Sequence, residues 1–322
     1  MTRHMIQAVL DEAREAGWRA AVMPYEARAV ARGGIIARHE RGELDEEFYQ
    51  ERLASWEKPP QAEAPRPRSL IAVAVPDRPV RLRFTVNGNP LTTAVPPTYV
   101  HWERNDRTVE ERLRRVLAPA GFVVARARGP TKAMATLSAL ARYGRNNLTY
   151  VDGLGSYHRP VILVSDLPCD ELPRQEPEAL SCCATCRACM AACPTGAIGS
   201  DRFLLHAERC LTYWNEKPPE VPFPGWIKPE WHNALVGCMR CQEVCPENRP
   251  FVGAFIEGPS FDEEETRTLL SGAREEDLSP TLRRALKAWD LIDMLPIFPR
   301  NLGALLAERA GKTTAYGAEE GS

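Results

Sequence analysis

The chain has 322 residues, 41 Lys and Arg against 43 Asp and Glu, a formal net charge of −2, and 44% hydrophobic residues. This composition argues for a packed core and against disorder, and it lacks the basic excess that marks broad nucleic-acid binding, so nucleic acid is not expected as a partner. Apolar runs such as 70–75 fall far short of the about 20 residues a membrane span needs, and Asp11, Glu12 and Glu15 stand where an export signal would be apolar. The reading is a cytoplasmic protein with no membrane partner.

In chain order, Ile6, Val9, Leu10 and Ala13 predict a first helix stopped by Gly17, and Leu44, Phe48 and Leu53 predict a second over 44–56. Prolines 59, 60, 65 and 67 then lead into a buried strand at 70–75. Segments 81–86 and 91–95 flank Asn87-Gly88-Asn89-Pro90 and predict a hairpin, with four turn residues leaving the register open. Asp106 or Thr108 is a candidate cap for the next helix, whose stripe is Val109, Leu113, Val116 and Leu117. Short apolar runs at 122–125 and 161–164, with a helical stretch at 132–142 between them, complete a domain in which strands alternate with helices.

The expected fold class is α+β or α/β in three parts. Residues 1–165 form an α/β cofactor or substrate domain, 166–258 a ferredoxin-like domain with two 4Fe–4S clusters, and 259–322 a short helical C-terminal extension. The middle part has little periodicity, so bound metal should supply much of its folding energy. In the third part, Phe261 followed by Asp262, Glu263, Glu264 and Glu265 opens one helix, and 282–291 and 302–310 give two more.

Nine of the ten cysteines lie between Cys182 and Cys245. In a reducing compartment such crowding indicates metal ligands rather than disulfides. Cys183-x2-Cys186-x2-Cys189-x3-Cys193-Pro194 is the bacterial ferredoxin spacing, in which three thiolates wrap one cubane and the fourth reaches the other. The second set is Cys210 with Cys238-x2-Cys241-x3-Cys245-Pro246. Cluster one is therefore assigned to Cys183, Cys186, Cys189 and Cys245, and cluster two to Cys193, Cys210, Cys238 and Cys241. Two structural zinc sites are the competing reading of paired C-x2-C, but they do not account for three cysteines at successive x2 spacing or for two Cys-Pro endings. Cys169 and Cys182 remain as spare thiols. Between Cys210 and Cys238 lie 27 residues with five prolines and three tryptophans, expected to be a rigid apolar segment that shields cluster two or walls a pocket.

These motifs, together with Thr195-Gly196-Ala197-Ile198, Glu208-Arg209-Cys210-Leu211-Thr212-Tyr213, Gln242 and Glu247-Asn248, resemble the epoxyqueuosine reductases, relatives of the corrinoid reductive dehalogenases. Tyr143-Gly144-Arg145-Asn146-Asn147-Leu148 is similar to that family's glycine–basic–asparagine turn, and Ser165-Asp166-Leu167-Pro168 to the strand end before its clusters. The resemblance is close over 140–250 and weaker before it. It implies an N-terminal domain holding cobalamin against a two-cluster ferredoxin domain, with electrons passing through the clusters to cobalt. It also implies a low-potential electron donor of the ferredoxin or flavodoxin type.

The chain departs from the family at three places. Glu103-Arg104-Asn105-Asp106-Arg107 stands where the family has Gly-Arg-Asp-Tyr-His, and Ala127-Arg128-Gly129-Pro130 lacks its proton-donating aspartate. The C-terminal region is also shorter than in the reductases that act on tRNA. A divergent paralogue with an altered pocket is expected, acting on a small molecule or a partner redox enzyme.

The candidate cofactor-binding residues are Lys132, Arg145, Asn146, Asn147 and Tyr157, with Tyr150 and His158 beside them, because polar loop residues near strand ends are where such sheets place ligand contacts. Arg145 suits an anionic group, and Lys or Tyr could supply a proton; turn formation by the two asparagines is the structural alternative. The functional reading is an iron–sulfur oxidoreductase, with cobalamin as a possible further cofactor. A non-catalytic electron-transfer module serving a partner enzyme is the alternative, and a cluster-based sensor a third.

Overall fold

The computed structural model describes residues 2–56, 63–169 and 176–316, with side chains to 307. In chain order the first half gives α1 (Thr2–Glu15), β1 (Arg19–Pro24), α2 (Ala27–Glu40), α3 (Glu46–Arg52), β2 (Ser69–Pro76), β3 (Val80–Val86), β4 (Asn89–Val95) and α4 (Trp102–Leu117). It continues with β5 (Val124–Arg126), α5 (Thr131–Leu137), β6 (Arg142–Tyr143), β7 (Thr149–Tyr150) and β8 (His158–Ser165). The cysteine segment adds α6 (Ala188–Ala192), α7 (Leu211–Asn215) and α8 (Arg240–Glu243); β9 (Ile256–Phe261), α9 (Glu263–Leu270), α10 (Pro280–Ala288) and α11 (Phe298–Tyr316) follow.

The first sheet has the order β1-β2-β8-β5 and every pairing in it is antiparallel. It is covered on both faces, which is why the 70–75 run carries no polar alternation. Leu70, Ala72, Ala74, Ile162 and Val164 pack toward α2 and α5 with Ala27, Ala31 and Met134. Their neighbours Ile71, Val73, Val75, Val161 and Leu163 pack toward α1 and α4 with Val9, Val109, Leu113 and Leu117. The sequence alternation of strand and helix thus takes the α+β form of the expected class rather than building parallel βαβ units.

A second sheet, β4-β3-β9, joins the 80–95 hairpin to a strand some 170 residues later by parallel pairing of β3 with β9. Its core combines Val80, Leu82 and Phe84 with Phe261, Leu269, Leu282, Leu286 and Phe298. The hairpin register is set by a two-residue turn, Asn87-Gly88, with Val86 opposite Asn89. Both turn residues have positive φ (50° and 72°), the requirement of a type I′ turn. The Glu263 carboxylate accepts from both turn amides at 2.9 Å.

Several local expectations change. α4 begins at Trp102 after His101 in the left-handed region (φ 57°), so neither Asp106 nor Thr108 caps it. Asp106 instead forms a forked pair with Arg159 at 2.6 and 3.0 Å, joining α4 to β8. The expected helix over 44–56 contracts to α3, capped by Asp45, which accepts from the Phe48 amide. β1 and α2 carry no clean periodicity: one is short and rich in alanine, and the other has Gly33-Gly34 at its centre. α9 opens with the capping box Asp262/Glu265 where the acidic run predicts a helix start. Among the described residues, no helix is long and apolar enough to cross a membrane.

Candidate metal centre

Each Cys-Pro ending does the same local work. Proline drives the preceding residue into extended backbone and stops a short helix. Cys193 (φ −79°, ψ 108°) ends α6, and Cys245 (φ −71°, ψ 125°) turns away after α8. α6 and α8 pack together, so the two cysteine loops face each other.

Cys183, Cys186, Cys189 and Cys245 border one cavity, closed by Arg145, Asn146, Tyr150 and Pro246. Cys189 lies within electrostatic reach of Cys183, Cys245 and Cys186. Cys210, Cys238 and Cys241 stand within such reach of Cys193 and together make a second quartet. Cys182 is exposed at the mouth of the first cavity, whereas Cys183 is buried within it. Burial pushes the Cys238 thiol up to about 12 and the Cys241 thiol well above its ordinary value. A metal binding there must displace protons that a buried apolar setting favours.

The donor set fits 4Fe–4S chemistry. Each iron of a cubane takes one thiolate, so the sulfurs surround the core instead of converging on one ion. Among the described residues, no three His, Cys, Asp or Glu side chains sit close enough to hold a single metal ion.

The turn between β6 and β7 presses on this centre. Arg145 donates to the Cys183 carbonyl at 3.2 Å and lies over the Phe203 ring. Asn146 Nδ2 donates to the Tyr150 hydroxyl at 3.0 Å, and both side chains line the first cavity. A Cβ at Gly144 would stand 2.5 Å from the Tyr150 ring and 2.6 Å from Asn146 Oδ1, so only glycine permits this approach.

Beside the second quartet a group of polar side chains gathers around Lys132. The Lys132 residue is exposed to solvent. Protein nevertheless crowds the amine closely enough for desolvation to lower its pKa, against the opposing pull of Glu216 and Cys210. The Lys132 ammonium donates to the Asn147 carbonyl at 3.3 Å. Across from it Tyr99 donates to Glu216, which also pairs with Arg52 at 3.4 Å. Burial and the Glu216 carboxylate hold the Tyr99 hydroxyl well above its ordinary pKa, in the protonated form.

Two networks fix the cysteine segment to the rest. Asn248 accepts from the Ser156 amide at 2.8 Å and donates to the Ser156 hydroxyl at 2.8 Å, while Gln242 donates to Ser156 Oγ at 2.9 Å. Gly155 (φ +56°) belongs to this network, since a Cβ there would fall 2.4 Å from Asn248 Oδ1. The 211–237 insertion is held from α11. Arg300 donates to the carbonyls of Pro218, Val221, Trp214 and Asn215, and Asn301 to those of Asn215 and Leu235.

The sequence candidates therefore occupy separate places. Lys132 and the Asn147 carbonyl are on the side of the second quartet, while Arg145 and Asn146 are against the first. The Asn147 side chain accepts from the Leu205 amide at 2.9 Å. Tyr157 is buried with Ala94 and Met239 against Phe251, its hydroxyl pushed up to about 12 by burial. His158 bonds to Thr149 and the Gly155 carbonyl within the core. Sequence reasoning missed Tyr99, Glu216 and Arg52, which come from three distant segments and carry no motif.

The 4Fe-4S double cluster binding domain matches residues 182–248. An epoxyqueuosine reductase of Pseudomonas aeruginosa is 34% identical over 187 residues, covering 54% of this chain and 50% of that protein. The chain spans between 36% and 60% of the length of the first curated relatives it matches. In structure, a selenomethionine-labelled epoxyqueuosine reductase aligns with a TM-score of 0.68 at 16% identity, over 96% of this chain and 82% of that one. The chain thus shares the epoxyqueuosine reductase fold and resembles these enzymes in sequence. A further structure, with a TM-score of 0.64 at 17% identity over 96% and 82% of the two chains, is an epoxyqueuosine reductase with a tRNA-Tyr epoxyqueuosine-modified tRNA stem loop. That complex removes the ground for excluding nucleic acid. Net charge averages over the whole surface and is blind to a local site that reads one nucleoside.

Proposed function

We propose that the chain is a cytoplasmic iron–sulfur oxidoreductase that takes single electrons from a ferredoxin- or flavodoxin-type donor and delivers them, by way of two 4Fe–4S clusters, to a cofactor or substrate bound beside Lys132. Cys183, Cys186, Cys189 and Cys245 would hold one cluster, and Cys193, Cys210, Cys238 and Cys241 the other; such clusters supply single electrons at low potential. Residues 1–165 then serve as the cofactor and substrate domain, 166–258 as the cluster domain and 259–322 as the helical extension.

One observation carries this reading: Lys132 of the N-terminal layer lies within electrostatic reach of Glu216 and Cys210 of the cysteine segment. An electron carrier alone has no need of a lysine and its polar neighbours beside its second cluster. Lys132, Tyr99, Arg52 and Glu216 offer donors and acceptors that fit the amide-bearing rim of a corrinoid, which would supply a strongly reducing cobalt centre. The Lys132 amine, lowered in pKa by its surroundings, can hold an anionic group or give up a proton. Asn147 positions it through the backbone carbonyl, Arg145 and Asn146 shape the first cluster site, and Tyr157 packs in a separate core cluster against Phe251. The substrate class extends from small molecules to a modified nucleoside in a tRNA stem loop, as on the structural neighbour.

The test is anaerobic addition of cob(II)alamin to the cluster-loaded protein, read by EPR and retention on a desalting column. A base-off signal with retention, lost in Lys132→Glu, is the expected result. Free-cofactor spectra over intact clusters would overturn corrinoid binding. If, in addition, the modified stem loop neither bound nor reoxidised the reduced clusters, the electron-transfer module would replace the enzyme.

A further inference from the structure

We infer that the 211–237 insertion and the start of α3 enclose an aromatic cage for a small organic cation, a methylated ammonium, beside the second quartet.

The walls come first. Tyr213, Trp214, Trp226 and Trp231 line a cavity of about 470 Å³, within the size range of small-molecule sites. The Tyr213 and Trp214 rings meet at 66° with centroids 5.5 Å apart, and those of Trp214 and Trp226 at 86° and 6.1 Å. Rings set nearly at right angles make a corner for a compact, rounded group, whereas a flat guanidinium or base stacks along a ring face. Trp226 is 43% exposed, a large aromatic surface that a ligand in the cavity would take out of water.

Charge gives the sign of the ligand. Asp45, Glu47 and Glu208 line the cavity against one guanidinium, that of Arg209. Lys217 is matched by Glu51, and Lys228 over the Trp231 ring still leaves the balance negative. The rings already hold a cation in the folded chain. The Lys217 ammonium lies 4.3 Å from the Tyr213 centroid and 5.5 Å from that of Trp214.

Hydrogen bonding narrows the class. Asp45 accepts from the Phe48 amide at 2.9 Å, Glu47 accepts from Lys217 at 2.9 Å, and Glu208 lies 3.4 Å from His206 Nδ1. Trp214 Nε1 donates to the Glu208 carbonyl at 2.8 Å. With each carboxylate already engaged, the walls offer negative potential and electron-rich ring faces more than open acceptors. A primary ammonium entering there would give up strong hydration for few hydrogen bonds, a cost that a methylated ammonium does not meet. Thr195 joins the cavity to the cluster segment, its hydroxyl 3.5 Å from Cys193 Sγ, so a bound cation lies beside the second quartet.

The experiment is anaerobic calorimetric titration of the full chain, clusters loaded, with choline and with dimethylbutanol, its uncharged isostere in which carbon replaces nitrogen. Choline should bind at one site, and the isostere at least about tenfold more weakly, because it keeps the shape and loses the attraction to several rings. Trp226→Ala should weaken choline about fivefold, and Trp226→Phe should restore most of that loss.

Equal affinity for choline and its isostere would overturn the inference, as would a wild type that binds no choline. So would unchanged choline affinity in Trp226→Ala at wild-type iron content and circular dichroism. The choline–isostere comparison uses wild type alone, so it decides the outcome even where Trp226→Ala fails to fold.

Discussion

The two cysteine loops share the run Cys-x2-Cys-x3-Cys-Pro, yet the quartets they form sit in different surroundings. The first, around Cys183, is capped by a tight turn and one exposed spare thiol, Cys182. The second, around Cys241, lies under the 211–237 insertion, and that insertion is held by side chains of α11. A shared short run thus serves two sites with different surroundings. What separates them is contributed by residues up to about 90 positions away.

The comparison can be broken at several points. The largest effect is expected from the ligands. Cys186→Ser and Cys241→Ser should each lose about four of about eight irons by iron and sulfide analysis. Only Cys241→Ser should also lower the melting temperature strongly, because its site organises a buried segment.

Next, Gly155→Val should destabilise the chain by about 2–4 kcal/mol in denaturant titration. Its Cβ would strike Asn248 Oδ1, and its backbone has φ +56°.

The third test is pH. Burial pushes His158 and His232 down to about 4 from 6.5, so the folded state holds both neutral. Between those values the unfolded chain binds more protons. The stability of the neutral histidines is therefore full above about pH 6.5 and falls with acid down to about 4, by at most about 3 kcal/mol each. Asp77, raised to about 6 from 3.8 by burial, works oppositely: it favours the fold at low pH and loses that contribution as pH rises through 6. The net expectation is weaker stability at pH 5 than at pH 7, checked by denaturant midpoints, with the slope reduced in His232→Phe.

The smallest effect is expected from Arg300→Ala. It frees four carbonyls of the insertion, should cost about 1–3 kcal/mol, and should speed oxygen bleaching of the second cluster more than of the first.

The sequence by itself determined whatever is encoded in short range. The Cys-x2-Cys spacing and Cys-Pro endings specify the loops, because a cubane takes two or three of its ligands from a few adjacent residues. The 70–75 run announces a strand covered on both sides, Asn87-Gly88 a hairpin turn, and Asp262 with Glu265 a helix start. The tertiary structure alone decided what joins distant segments. It made the first sheet antiparallel, paired β3 with β9, turned Asp106 from a cap into Arg159's partner, and brought Arg52, Tyr99, Lys132 and Glu216 together. Those residues share no period or motif. What brings them together is the burial of apolar faces elsewhere, which fixes where each polar side chain is carried without leaving any mark beside it in the chain.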